Sequence, residues 1–78
     1  MFHLVPLHRL PSGDRARVMQ ILGCPEQVQR FKEMGIRDGA EIQMVRSGTP
    51  CIIRTEMQTL CIRGSELLDV FVEPGVAF

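Results

Sequence analysis

Five side chains in this sequence could bind a metal or attack an electrophile: His3, His8, Cys24, Cys51 and Cys61. Zinc and iron sites need three or four ligands at workable spacing. Two histidines near one end and three scattered cysteines do not supply that spacing. There is no C-x-x-C pair, and an odd number of cysteines does not make a disulfide framework. A nucleophilic thiol needs a neighbouring base, and neither histidine is tied by sequence to a cysteine. No metal, cofactor or catalytic residue is therefore assigned. The glycine pair in Gly35-Ile36-Arg37-Asp38-Gly39 lacks the Lys and Ser/Thr of a phosphate-binding loop. Those glycines read as backbone geometry, a helix stop and a turn.

The 78 residues carry nine Lys plus Arg and nine Asp plus Glu. A chain this short buries only about 60–65% of its unfolded surface, which leaves no room for both a core and a deep catalytic cleft. One domain over residues 1–78, without enzyme activity, is the expectation. Zero net charge gives no bulk attraction to nucleic acid or anionic membrane. Tyr and Trp, which stack on bases, are missing. No run approaches the roughly 18 apolar residues of a membrane span, and the first ten residues do not read as a signal peptide. The expected location is cytoplasmic, with reduced thiols.

The elements that must position any site follow from turn signals every 8–12 residues. Leu7 and Leu10 suit a helical turn after an apolar lead-in. Pro11 to Asp14 is a turn with Gly13 at its corner. Arg15 to Leu22 is the first strand, with Ala16 and Val18 on one face and Arg15 and Arg17 on the other. Pro25 to Met34 is the one helix: Pro25 fits its first position, Glu26 its positive end, and Glu26–Arg30 an i,i+4 pair. Val28, Phe31 and Met34 form its apolar stripe. Gly35 stops it, and Ile36 folds back on Phe31. Gly39 closes the next turn.

Strands follow from Ala40 to Arg46, Cys51 to Glu56, Thr59 to Arg63 and Asp69 to Glu73, with a helical turn at Gly64 to Leu68. Inner positions are Ile42 and Met44, then Cys51, Ile53 and Thr55, then Leu60 and Ile62, then Val70 and Val72. Cys61 faces outward. The expected fold is all-β: an SH3-like five-stranded barrel with one α-helix inserted after the first strand, closed so that short strands leave no unpaired edges.

The ordered set of motifs resembles the FeoA family. Leu7-x-x-Leu10-x-x-Gly13-x-x-Ala16-x-Val18-x-x-Ile21 is similar to the family's opening. Arg30 to Gly39, R-F-K-E-M-G-I-R-D-G, resembles its helix end. Thr59 to Glu66 with Val70 and Val72 resembles its closing strands. The match runs from about residue 7 to 72. Two loops depart from the pattern: Ser47 to Pro50 is short, and Glu56-Met57-Gln58 lacks a glycine, which predicts a wider loop there.

The resemblance implies a non-enzymatic adaptor of bacterial ferrous-iron uptake, binding the FeoB permease on its cytoplasmic side. The same fold occurs in iron-dependent repressors. Arg30, Met34 and Arg37 are the expected contact residues. Two other surfaces are weighed: Arg15, Arg17, Arg30, Lys32 and Arg37 as a basic docking patch, against the expectation of an ordinary solvated face, and Met34, Ile36 and Met44 as an apolar cleft, against the expectation of core packing for all three. The apolar ends, Phe2, Leu4 and Val5 with Val76, Ala77 and Phe78, offer surface for packing or weak self-association. The rival function is a small metal-binding sensor or chaperone using His3, His8 or a thiolate. A nucleic-acid-binding barrel is the third.

Overall fold

Alternation of small apolar and charged residues makes Arg15–Ile21 the central strand. Ala16 and Val18 are fully buried while Arg15 is exposed. The computed structural model describes residues 3–75. In chain order it contains β1 (Val5–Pro6), a 3-10 turn (Leu7–Arg9), β2 (Arg15–Ile21), α1 (Pro25–Glu33), β3 (Glu41–Arg46), β4 (Cys51–Arg54), β5 (Thr59–Ile62), a second 3-10 turn (Gly64–Leu67) and β6 (Val70–Pro74). All strand pairs are antiparallel, in the order β1-β6-β2-β3-β4-β5.

Two features of the expected barrel are corrected. The described residues form six strands, because Val5–Pro6 pairs with Phe71 and Val72 at the sheet edge. The helix therefore follows the second strand. A two-residue strand ending in proline has no alternation to read, and proline at an edge leaves no N–H to attract another chain. Closure by hydrogen bonds is also missing: among the described residues no ladder joins β5 to β1. The two 3-10 turns pack against each other instead, each burying one leucine completely, Leu7 and Leu67. Register shifts in β2 against β6 and in β3 against β4 add local bends that curve the sheet around the core.

The alternation read from sequence places the inner side chains. Ile42, Met44, Cys51, Ile53, Val70 and Val72 are all buried, and Cys61 is exposed. The helix covers one side of this core with Phe31. Its first position is Pro25, where the absent N–H costs no intrahelical bond. Among the described residues Glu26 and Arg30 make no ion pair, so that expectation fails; a solvent-exposed i,i+4 pair is worth only a few tenths of a kcal/mol, about the entropy of holding it.

The helix stop is a Schellman motif: the Ile36 N–H donates to the Phe31 carbonyl at 2.8 Å and the Gly35 N–H to the Lys32 carbonyl at 3.1 Å. Gly35 has φ of +94°, and a Cβ there would lie 2.7 Å from Thr55 Oγ1. Both the left-handed backbone and the close approach require glycine. The other two expected turn glycines, Gly13 and Gly39, also have positive φ, 92° and 84°, with open space around them.

The β4–β5 turn is tight, contrary to the expected widening. The Thr55 N–H donates to the Gln58 carbonyl at 2.8 Å, leaving only Glu56 and Met57 at the tip. The Thr55 hydroxyl replaces the missing glycine chemistry. It accepts from the N–H groups of Met57 and Gln58, each at 3.2 Å. Of the termini, Leu4 is exposed and Val5 packs against the core; Phe2, Val76, Ala77 and Phe78 lie outside the described residues.

Candidate functional site

Helical periodicity builds one wall of the site. Gln27, Arg30, Phe31 and Met34 stand at i, i+3, i+4 and i+7, so they share one face of α1 and its C-cap. Opposite them lie Cys61 and Ile62 of β5 and Glu66 of the second 3-10 turn. The groove between has a volume of about 170 Å³. Phe31 and Ile62 form its buried apolar floor, and Met34 is half-buried. Arg30 and Glu66 are exposed on opposite walls, and among the described residues they form no ion pair.

The position of the helix wall is set at its C-terminal end. The single proton of the Thr55 hydroxyl lies within reach of the carbonyls of Met34, 3.2 Å, and Gln58, 3.1 Å. That one hydroxyl, on a residue only 7% exposed, ties the last turn of α1 to the β4–β5 turn. Sequence reasoning placed Thr55 inward without giving it a partner. The available signal was a polar residue ending an apolar alternation next to a turn. At the other end, Gln27 packs over Gly23, whose missing Cβ leaves room for the amide. Beyond it the chain exposes Leu22 and Leu68, 45% and 50% accessible, and the Leu22 N–H donates to the Asp69 carbonyl at 2.8 Å.

Of the three expected contact residues, the structure brings Arg30 and Met34 into this groove. Arg37 lies beyond the Gly35 stop, exposed, in a turn where its carbonyl accepts the Ala40 N–H at 2.9 Å. It does not line the groove. Gln27, Cys61, Ile62 and Glu66 were missed because three of them come from about thirty residues further along the chain.

The two competing surfaces come apart. Arg15 and Arg17 project from the outer face of β2, where Arg17 Nη2 meets Glu41 Oε1 at 3.4 Å and has Glu73 as its other cross-strand neighbour. Arg30 stands instead on the groove wall. The apolar cleft of Met34, Ile36 and Met44 also divides: Ile36 and Met44 are fully buried core, and only Met34 reaches the groove.

The metal-ligand candidates are dispersed. Among the described residues no three His, Cys, Asp or Glu side chains converge. His3 is exposed, and His8 is half-buried, its Nδ1 lacking a hydrogen-bond partner among the described residues. The Cys51 thiol, at the start of β4, donates to the Gly48 carbonyl of the preceding loop at 3.3 Å. Cys24 precedes the helix and Cys61 lines the groove, both exposed. Among the described residues no helix is long and apolar enough to cross a membrane.

Residues 5–74 match the family model of the FeoA domain. A crystal structure of an iron uptake regulatory protein, FeoA, is 31% identical with a TM-score of 0.87, covering 92% of this chain and 99% of that one. The Stenotrophomonas maltophilia FeoA complexed with zinc, described as a prokaryotic SH3 domain protein, is 28% identical with a TM-score of 0.73, covering 88% of this chain and 89% of that one. A manganese-dependent transcriptional repressor shares the fold alone, at 14% identity and a TM-score of 0.84, over 94% of this chain and 42% of the repressor. No curated protein gives a significant sequence match.

Proposed function

The chain belongs to the FeoA family, and on that basis we propose that it is a non-enzymatic accessory protein of ferrous-iron transport that binds the cytoplasmic region of a FeoB-type permease through the groove between α1 and β5. The family is associated with ferrous-iron transport, and the match across residues 5–74 carries the reading. The groove supports the rest. It has an apolar floor that gains by burial, about 25 cal/mol per Å², between two charged walls that orient a partner. Burial of Met34 and the rims of Phe31 and Ile62 supplies affinity. Arg30 supplies steering and register, because its guanidinium has no anionic partner among the described residues.

The groove lining contains no histidine, and its one thiol, Cys61, shares it with Arg30, Glu66, Gln27 and apolar side chains. Binding is the activity these groups can perform. GTP hydrolysis belongs, in this reading, to the permease's own G domain.

The test is a pull-down of the cytoplasmic G domain of the same organism's permease, with and without a GTP analogue. Wild-type protein is expected to retain it, and Arg30→Glu to lose most of it. Absence of retention in either nucleotide state overturns the reading.

A further inference from the structure

The pairing register of β5 determines which of its main-chain groups are spoken for. Thr55 and Gln58 form the first hydrogen-bonded pair after the turn. Antiparallel pairs alternate between bonded and non-bonded. Leu60, opposite Ile53, and Ile62, opposite Cys51, therefore exchange bonds with β4. Thr59 and Cys61, opposite Arg54 and Ile52, point their N–H and C=O away from β4. The same parity holds across the sheet, since Met44 and Asp14, and Val18 and Ala40, pair as the alternation requires. Among the described residues no strand pairs with that outer edge. The edge at Cys61 is also a wall of the groove.

We infer that this edge receives an extended peptide segment of the partner, hydrogen-bonded to the Cys61 main chain, with an apolar side chain in the groove and an acidic side chain against Arg30. The inference rests on the proposed function and names the chemistry of the partner at the same site. Three observations fix the occupant. An unpaired N–H and C=O on a strand edge are satisfied by another extended backbone. A groove of about 170 Å³ is below the roughly 300–1,000 Å³ of small-ligand pockets, so it holds one large side chain rather than a metabolite. The guanidinium on the helix wall, without an anionic partner among the described residues, calls for a carboxylate, and Glu66 on the other wall repels one, which sets the direction in which the acidic side chain points. A second copy pairing through its own β5 would bring the strand residues Thr59, Leu60, Cys61 and Ile62, none of them acidic.

The register also supplies a variant that removes the outward N–H without cutting a bond to β4. Cys61→Pro does this at an edge position whose N–H faces away from the sheet, where proline is tolerated. Cys61→Ser changes the thiol and keeps the N–H. Amide exchange of the unsubstituted protein reads the same group without any mutation. The experiment measures the affinity of the permease's cytoplasmic region for wild type, Cys61→Ser and Cys61→Pro, together with exchange at Cys61 with and without that region. The expected result is at least a tenfold weaker affinity for Cys61→Pro than for Cys61→Ser, and slowed exchange of the Cys61 amide on binding.

Wild-type binding with no change at the Cys61 amide overturns the edge inference and leaves the proposed function standing, however Cys61→Pro behaves. Slow, concentration-dependent exchange before the partner is added overturns it in favour of self-pairing. No binding by wild type overturns both.

Discussion

The outer face of β2, β3 and β4 and the groove between α1 and β5 are both partly charged, and they handle charge in opposite ways. On the outer face Arg17 meets Glu41 across the strands and has Glu73 on its other side. Arg54 and Glu56 continue the mixture of signs around a shallow hollow beside Arg15 and Gln43. In the groove, Arg30 and Glu66 stand apart over Phe31 and Ile62 and form no ion pair among the described residues. A face whose charges neutralise one another is a solvated surface. A face that keeps unpaired charges around an apolar floor retains the interactions a partner would complete. Composition alone could not separate these faces, because both contribute to the same zero net charge.

The comparison breaks first at the groove's support, where the largest effect is expected. Gly35→Ala forces a left-handed backbone on alanine and drives its Cβ to 2.7 Å from Thr55 Oγ1. The combined strain and overpacking amount to about 2–4 kcal/mol, a large share of the stability of so small a domain. Its urea midpoint should fall steeply; a midpoint equal to wild type would show that the helix stop is not constrained by the turn. Thr55→Val keeps the shape and removes the hydroxyl that serves Met34, Met57 and Gln58. A loss of about 1–3 kcal/mol is expected, with Thr55→Ser retaining most of the stability.

The next two variants sharpen the contrast between faces. Arg30→Glu should leave thermal stability near wild type and weaken permease binding about tenfold, about 1.4 kcal/mol. Arg17→Ala breaks an ion pair whose side chains are both more than a third exposed, so its stability cost should stay below about 1 kcal/mol. Its binding should match wild type. A large binding defect in Arg17→Ala would mean that the outer face, too, takes part in recognition.

Much of this architecture was legible because it rests on local periodicity. Alternation located the inner residues of every long strand, and the Pro25 to Ile36 segment announced a helix with a glycine stop. β1 was hidden because two residues carry no pattern and its pairing with β6 spans most of the chain. The absence of a β5–β1 ladder was hidden for a related reason: closure depends on how far apart two ends of a curved sheet fall. The groove was half legible. Arg30 and Met34 lie on the helix stripe, whereas Cys61, Ile62 and Glu66 join them only through tertiary packing. Arg37 falls outside the groove because the Gly35 stop turns the chain away from the helix face within three residues. Thr55 illustrates a further limit, since its hydroxyl links the β4–β5 turn to the end of α1, 21 residues away in sequence.

The most direct test compares two charge reversals that change the net charge equally and differ only in the face they alter. Arg30→Glu sits in the groove, and Arg54→Glu on the outer face. Their affinities for the permease's cytoplasmic region would be measured side by side with wild type, at the same ionic strength. The groove account predicts at least a tenfold loss for Arg30→Glu and less than a twofold change for Arg54→Glu. Equal losses, or a larger loss for Arg54→Glu, would contradict it.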